Sequence, residues 1–394
     1  MPHAAKFTYG TKLVLRGTLG AKILDPETCF GREAEVGIFS KRRRKSRHSS
    51  SNPLLRWFGP GFTVAGLLYV GYSVLSGNWT FSSLDESDPS LIRPTPVSLG
   101  EQSDRPADRI RIATFNIEKF GETKSTKRES EGGIDVLAKL AQIVSQFDLI
   151  AIQEVMGQDG KSVQRLVALL NASGKTYDFY LSEPIGLENN NYRESYAFVW
   201  DRNRIEIAPG RSYVVRDPGK RMHREPMVAT FQTRVPAQSP REPFRFTVIN
   251  VHTDPDEVDP NNPNSEINVL ADVFHRVREY EYEGFRETDF ILLGDLNAGP
   301  NGLGGLTAMG LFSIAGDIKT NVNRTKTKDH ILIDRSVTTE YTESMGVIDF
   351  KQDLKLTEQQ AEEVSDHLPL WAEFDIYEQG TPQLTSSETG RELK

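Results

Sequence analysis

The chain has 394 residues, a single cysteine (Cys29) and a net charge of −8. One cysteine excludes an intrachain disulfide framework and a zinc site built from cysteine clusters. Residues 1–56 hold 12 basic and 4 acidic side chains, a net charge of +8, so residues 57–394 carry −16. An acidic body does not attract nucleic acid by a long-range field, but it suits a site that binds a hard cation through carboxylates.

The N-terminal part of the chain combines a basic segment with an apolar one. Residues 1–56 end shortly after the basic cluster KRRRKSR at 41–47, and residues 57–84 contain no charged side chain. This apolar stretch, with aromatic residues near both ends, predicts a single transmembrane anchor at 57–80. The basic side would then face the cytoplasm, so that the rest of the chain lies outside it as a single-pass membrane protein.

Two other interpretations of the apolar stretch stay open. Several helix-weakening residues interrupt it: Gly59, Pro60, Gly61, Gly66, Gly71 and Gly77. The stretch also fits the apolar part of a cleaved signal peptide, which would make the protein secreted, or a soluble segment. Residues 81–108 are rich in Ser, Pro, Asp and Glu, and residues 378–394 are similarly polar, which predicts a disordered linker and tail around a catalytic body at 109–377.

The body shows strand and helix patterns in a regular order. Apolar runs predict strands at 110–117, 148–155, 195–200, 226–235, 244–251, 290–294 and 368–376. Apolar residues at helical spacing predict helices at 133–147, 162–170 and 267–282. Because strands outnumber helices, these elements indicate a mixed α/β (α+β) body with substantial sheet.

Residues of the types that bind metals or transfer protons stand at one end of five of these apolar runs. They are Asn116, Glu154, His252, Asp295 with Asn297, and Asp366 with His367. Any one of them alone is an ordinary turn or cap residue, but five coincidences of residue type are not expected from turns alone. Ligands of α/β proteins collect at the carboxyl ends of strands. The pattern therefore predicts one shared site.

The residue types at these ends indicate phosphoester hydrolysis. Carboxylates and amides at Glu154, Asp295, Asp366 and Asn116 are oxygen ligands, which favour Mg²⁺, or else Mn²⁺ or Ca²⁺, over zinc. His252 and His367 can each move a proton near neutral pH. Each imidazole needs an orienting carboxylate, and Glu194 and Asp329 are candidates.

Four motifs in the order TFNI, IQEV, GDLN and SDHLP resemble those of the endonuclease/exonuclease/phosphatase superfamily. The resemblance covers about 109–377 and is strongest to deoxyribonuclease I-like members. It implies a four-layer α/β sandwich with two packed mixed β-sheets and a site at the edge between them.

Further segments extend the resemblance to individual residues. YRESYAFVW and TKTKDHILI imply that Glu194 pairs with His252 and Asp329 with His367. HREPMVATF implies that Arg224 contacts the scissile phosphate, with Asn116 and Asn297 as further phosphate-binding groups. Asp295 and Asn297 also belong to the implied catalytic set. Which histidine is the acid and which is the base stays open.

The sequence departs from the deoxyribonuclease I pattern at two points. Met156 stands where those members carry an arginine that reaches into the DNA minor groove, and the disulfide cysteines are absent. The expected function is a metal-dependent endonuclease that cleaves DNA. The alternative is a related phosphoesterase acting on a lipid headgroup, as sphingomyelinases do, or on an inositol phosphate. The complete set of site residues argues against a binding module without activity, and no protein partner is indicated.

Overall fold

The computed structural model of the chain describes residues 14–17, 106–127, 133–157, 159–186 and 192–379. The predicted anchor at 57–80 and most of the basic segment, the linker and the tail lie outside the described residues. Within these ranges, no helix has the length and apolar composition that a bilayer crossing requires.

Two β-sheets form the centre of the body. The six-stranded sheet has the order β12-β13-β2-β3-β5-β4 and the seven-stranded sheet has the order β1-β6-β7-β8-β9-β11-β10. The strands of the first sheet are β2 (Arg109–Phe120), β3 (Leu149–Val155), β4 (Tyr177–Leu181), β5 (Ser195–Asp201), β12 (Tyr341–Val347) and β13 (Leu370–Asp375). Those of the second are β1 (Val14–Gly17), β6 (Ile205–Arg216), β7 (Met227–Thr233), β8 (Arg245–His252), β9 (Phe290–Asp295), β10 (Phe312–Ser313) and β11 (Asp329–Ile333).

The helices cover the outer faces of the two sheets. They are α1 (Glu122–Thr126), α2 (Val136–Val144), α3 (Lys161–Ala172), α4 (Glu266–Phe285), α5 (Gly305–Ala308), α6 (Phe350–Asp353) and α7 (Glu358–Val364). One apolar core lies between the sheets, a second joins the six-stranded sheet to α2, α3 and α7, and a third joins the seven-stranded sheet to α4 and α5. The predicted four-layer sandwich with two packed mixed sheets is therefore confirmed.

Each sheet contains one parallel pair of strands. β2 runs parallel to β3 in the six-stranded sheet, and β8 runs parallel to β9 in the seven-stranded sheet. The other pairings are antiparallel. Since parallel strands end at the same edge, the carboxyl ends of β2, β3, β8 and β9 carry the predicted residues to one edge of the sandwich.

The apolar patterns coincide with strands β2, β3, β5, β7, β8, β9 and β13 and with helices α2, α3 and α4, whereas the other strands and the short helices α1, α5, α6 and α7 were not predicted. Pro209 and Gly210 interrupt the apolar pattern of β6, and the β6–β7 register shifts between Ile207 and Ser212. β12 is an edge strand whose seven residues are half-buried or exposed, so its sequence YTESMGV lacks alternation. A strand with neither face fully buried lacks the alternation of apolar and polar residues that identifies half-buried strands.

Candidate active site

Asn116 and Glu154 reach the site because both parallel strands of the six-stranded sheet are irregular there. The β2–β3 register shifts between Asn116 and Phe120, and Glu154 adopts a left-handed φ of 58°. Such irregularities re-aim side chains and cluster at functional sites. The Asn116 amide Nδ2 donates to Glu154 Oε1 at 2.9 Å and to Asp295 Oδ2 at 3.1 Å. One amide therefore joins a carboxylate of each sheet.

The parallel pair β8–β9 places His252 beside Asp295. These two residues are register partners at the ends of their strands. Gly294, one position earlier, has a φ of 145°, and a Cβ there would lie 1.8 Å from the Val251 carbonyl oxygen. Only glycine permits this close approach of the two backbones. The glycine of the GDLN motif thus fixes how the Asp295 carboxylate meets the His252 imidazole.

A buried carboxylate and a buried arginine hold His252. Its Nδ1 lies 2.9 Å from Glu194 Oε1, and its Nε2 lies 3.6 Å from Asp295 Oδ2. Arg224 donates from Nε to the His252 carbonyl and from Nη2 to the Thr253 carbonyl, each at 3.0 Å. Burial lowers the pKa of His252, but the charge and hydrogen bond of Glu194 outweigh it and raise the net pKa above its ordinary value.

His367 is held in the same way from the other direction. Its Nδ1 lies 2.8 Å from Asp329 Oδ2 and its Nε2 lies 3.3 Å from Asp295 Oδ2. Burial lowers the pKa of His367, but the charges of Asp329 and Asp295 raise it to about 10. Burial also raises the pKa of Asp329 despite the imidazole beside it. The pair therefore retains its proton well above neutral pH.

The two imidazoles face each other across one carboxylate. Both Nε2 atoms point at Asp295 Oδ2, because each Nδ1 is occupied by its own carboxylate partner. Burial raises the pKa of Asp295, but the charges of His367 and His252 have the larger effect and lower the net pKa below its ordinary value. This carboxylate is therefore ionised at neutral pH. This arrangement leaves two imidazole nitrogens aimed at one point.

A buried polar network joins the two sheets beneath the site. Gln153 donates from Nε2 to Asn250 Oδ1 at 2.6 Å and to Thr114 Oγ1 at 3.0 Å. All three residues are fully buried, and they lie on β3, β8 and β2. Because their hydrogen bonds are satisfied only in one relative position of the strands, the network fixes the register between the sheets at the catalytic edge.

The oxygen atoms of the site fit a hard divalent cation. Burial raises the pKa of Glu154, but the charge of His252 and the hydrogen bonds of Asn116, Lys119 and Tyr192 lower it below its ordinary value. Glu154 and Asp295 are thus both ionised and are bridged by one amide. Ligand atoms of Asp295, Asp329 and His367 also lie within 4.8 Å of one another. Ionised carboxylates in this number are ligands for Mg²⁺, Mn²⁺ or Ca²⁺.

The structure brings most of the predicted residues together and leaves Asp366 at the rim. The Asp366 side chain is 56% exposed, and its Oδ1 lies 3.9 Å from His367 Nε2. Asn297, with a left-handed φ of 47°, donates from Nδ2 to the Thr253 carbonyl at 2.8 Å. Arg224 is buried, with two of its nitrogens on backbone carbonyls, so it positions the end of β8.

Three residues that line the site were not predicted. The Tyr192 hydroxyl donates to Glu154 Oε2 at 3.1 Å, and the Tyr196 hydroxyl accepts from the His252 backbone N–H at 2.9 Å. Lys328 Nζ lies 3.4 Å from His367 Nε2. The two tyrosines flank Glu194 within YRESY and Lys328 directly precedes Asp329. A position one or two residues from a predicted site residue was the signal in the sequence that could have identified all three.

Two carboxylate-held histidines around an oxygen-ligand site define a class of phosphoester hydrolases. The model of the Endonuclease/Exonuclease/phosphatase family matches residues 113–367. The chain belongs to this family, and by that membership it is an enzyme that hydrolyses phosphoester bonds.

Comparisons with two deoxyribonucleases agree with the family match. The chain is 27% identical over 303 residues to deoxyribonuclease gamma of Rattus norvegicus, covering 72% of this chain and 89% of the relative. It is 27% identical over 280 residues to human deoxyribonuclease-1, covering 66% of this chain and 90% of the relative. A solved family protein from Bacteroides thetaiotaomicron aligns at 14% identity with a TM-score of 0.45, covering 68% of this chain and 96% of that one.

Proposed function

We propose that the protein is a divalent-metal-dependent endonuclease that cleaves DNA by histidine acid–base catalysis. The observation that carries this proposal is the pair of imidazoles, His252 and His367, whose Nε2 atoms both point at Asp295 while their Nδ1 atoms are held by Glu194 and Asp329. The similarity to deoxyribonuclease gamma and deoxyribonuclease-1 supports DNA as the substrate.

The high pKa of His367 assigns the role of acid to that histidine. His367, with a pKa of about 10, carries its proton at neutral pH and would donate it from Nε2 to the leaving oxygen. Burial lowers the pKa of His252, but the charge of Glu194 raises its net value as well. With His367 as the acid, His252 takes the remaining role and would accept a proton from the attacking water through Nε2. A cation held by Glu154 and Asp295, with Asp366 and Asn116 nearby, would neutralise charge that develops on the phosphate.

A basic depression next to the site supports a polyanionic substrate. A depression of about 530 Å³ is lined by Asn297 together with Lys319, Lys326 and Lys328. Arg224 Nη1 makes no hydrogen bond to any described residue, so it can meet a phosphate oxygen. These cations concentrate a phosphodiester backbone locally even though the body as a whole is acidic.

The exposed aromatic residues argue against a lipid surface as the substrate. Among the described residues the exposed large apolar side chains are Tyr282, Phe285 and Phe312. An arginine lies over each ring: Arg286 at 5.1 Å, Arg211 at 4.0 Å and Arg335 at 4.8 Å from the ring centroid. Rings engaged by arginine do not form the contiguous apolar patch that a membrane-binding surface needs.

The test compares three substrates under the same conditions. Purified full-length protein with Mg²⁺ is incubated with supercoiled plasmid, with sphingomyelin vesicles and with an inositol phosphate, each also in EDTA. His252→Ala is the inactive variant, and His275→Ala, an exposed histidine on α4, is its matched control. We expect plasmid nicking that EDTA and His252→Ala abolish and His275→Ala leaves intact. Intact plasmid with a cleaved lipid or inositol phosphate would refute the proposal.

A further inference from the structure

Three carboxylates converge at the edge of the sandwich remote from the candidate active site. Asp289 precedes β9, Glu340 precedes β12 and Glu378 follows β13. One oxygen atom of each lies within 4.8 Å of the others. Asp289 stands at the start of β9 and Asp295 at its end, so this cluster and the histidine pair occupy opposite ends of the same strand. Neither the family resemblance nor the proposed reaction accounts for it.

Each of the three carboxylates uses one oxygen in a hydrogen bond to the protein. Asp289 Oδ2 accepts from the Thr288 hydroxyl at 3.1 Å, Glu340 Oε1 from the Gln379 N–H at 2.6 Å, and Glu378 Oε1 from the Arg245 N–H at 2.9 Å. These bonds fix the orientation of all three side chains. The cluster is therefore rigidly held rather than a loose group of surface acids.

The remaining oxygens of the two buried carboxylates have no partner. Asp289 is 5% exposed and Glu340 is 2% exposed, yet Asp289 Oδ1 and Glu340 Oε2 accept no hydrogen bond. The Thr338 hydroxyl, on a residue 2% exposed, is also unpartnered. It lies close enough to Asp289 to lower the pKa of that carboxyl, although the two form no hydrogen bond of normal geometry. Buried polar atoms almost always have a partner, so three unpartnered atoms in one place leave a position for an ordered water or an ion.

The charge around the cluster is strongly unbalanced. Burial, followed by the charges of Glu340 and Glu378, raises the pKa of Asp289 to about 8, and burial also raises the pKa of Glu340 and of Glu378. Arg245 lies beside the cluster but pairs with Glu287 at 3.0 Å. Glu242, Glu287 and Asp375 add negative charge around the cluster, although Arg109 and Arg241 pair with Asp375. A bound cation would relieve this repulsion.

We propose that Asp289, Glu340 and Glu378, with the Thr338 hydroxyl, form a second cation site that binds Ca²⁺ and joins the two sheets. Asp289 belongs to the seven-stranded sheet, whereas Glu340 and Glu378 adjoin strands of the six-stranded sheet. Ca²⁺ accepts irregular cages rich in carboxylates, whereas Mg²⁺ keeps several waters and takes one or two carboxylates. The site stabilises the fold and takes no part in phosphate chemistry.

The test measures thermal unfolding with and without Ca²⁺ in three forms of the full chain. These are the unmodified protein, Asp289→Asn/Glu340→Gln, and Glu154→Gln, which weakens cation binding at the histidine pair. At a free Ca²⁺ concentration of about 100 times Kd, the equilibrium constant for folding should increase about 100-fold, which raises Tm by about 5 °C or more. With excess Mg²⁺ in every sample to occupy the site at the histidine pair, we expect that shift in the unmodified protein and in Glu154→Gln, and its loss in the double variant.

A matched control and a second signal keep the test decisive. Asp353→Asn/Glu358→Gln removes the same number of charges from exposed positions and should keep the Ca²⁺ shift. The amides of Asp289→Asn/Glu340→Gln resemble the protonated acids, so this variant should fold in EDTA.

The second signal is the luminescence of bound Tb³⁺, sensitised by Tyr341 and Tyr377, which are next to Glu340 and Glu378 in the chain. Ca²⁺ should displace the Tb³⁺, and the luminescence should require Asp289 and Glu340. A Tm that Ca²⁺ does not move, or moves equally in the double variant, would overturn the site.

Discussion

The substitution Asp329→Asn tests whether a buried carboxylate keeps His367 protonated. Asp329 Oδ2 lies 2.8 Å from His367 Nδ1, and both side chains are buried. An asparagine can keep the contact but not the charge, so the pKa of His367 should fall from about 10 toward its ordinary 6.5, because only Asp295 and Asp366 then oppose the effect of burial. The protonated fraction at pH 8 would then drop about 30-fold, and at pH 6 only about 1.3-fold for a pKa of 6.5.

The assay is the rate of plasmid nicking at pH 6 and pH 8 with saturating Mg²⁺. The loss caused by Asp329→Asn should be at least about 20-fold greater at pH 8 than at pH 6, because activity that needs the imidazolium is lost as pH rises through its pKa. Asp353→Asn, an exposed carboxylate on α6, should change neither rate. A loss of equal size at both pH values would mean that Asp329 acts by orientation alone and that His367 is not the acid.

Three further results follow from the structure. Met156→Arg adds a cation two residues after Glu154, so it should lower KM for duplex DNA by roughly threefold or more. The measurement is the kinetics of plasmid nicking, with Met309→Arg as the control. Leu293→Ala, at a fully buried position between the sheets, should destabilise the protein by about 2–5 kcal/mol in urea unfolding. The third result concerns the predicted span at 57–80 and is measured on protein with a tag at each terminus, in sealed vesicles treated with protease from outside. A membrane span predicts that the protease removes only one of the two tags. The pairing of β1 with β6 places residues on both sides of the span in one sheet, and it predicts that both tags are removed or both are protected.

The sequence was sufficient to predict the residues that end buried strands. His252 and Asp295 follow apolar runs whose burial leaves no packing reason for a polar residue, so their presence indicated a site. The pairing of each histidine with its carboxylate came from the family resemblance, because Glu194 and His252 are 58 residues apart in the chain. The structure agrees with both pairings.

Features that depend on contacts across the fold could not be predicted from the sequence. The Tyr192 hydroxyl meets Glu154 only because the β2–β3 pair is irregular at its end. Asp366 adjoins His367 in the chain, yet its carboxylate points to solvent, which depends on the backbone between α7 and β13. The cluster of Asp289, Glu340 and Glu378 has no sequence pattern because its members come from both sheets.

The most direct test of the account is a double-mutant cycle on the two histidines. Plasmid nicking is measured for His252→Ala, His367→Ala and the double variant, with circular dichroism to establish that each is folded. If the histidines act as one acid–base unit, each single change should lower kcat by about 10²- to 10⁴-fold and the double change should lower it little further. Near-normal nicking by either single variant, or fully multiplicative losses in the double variant, would contradict the account.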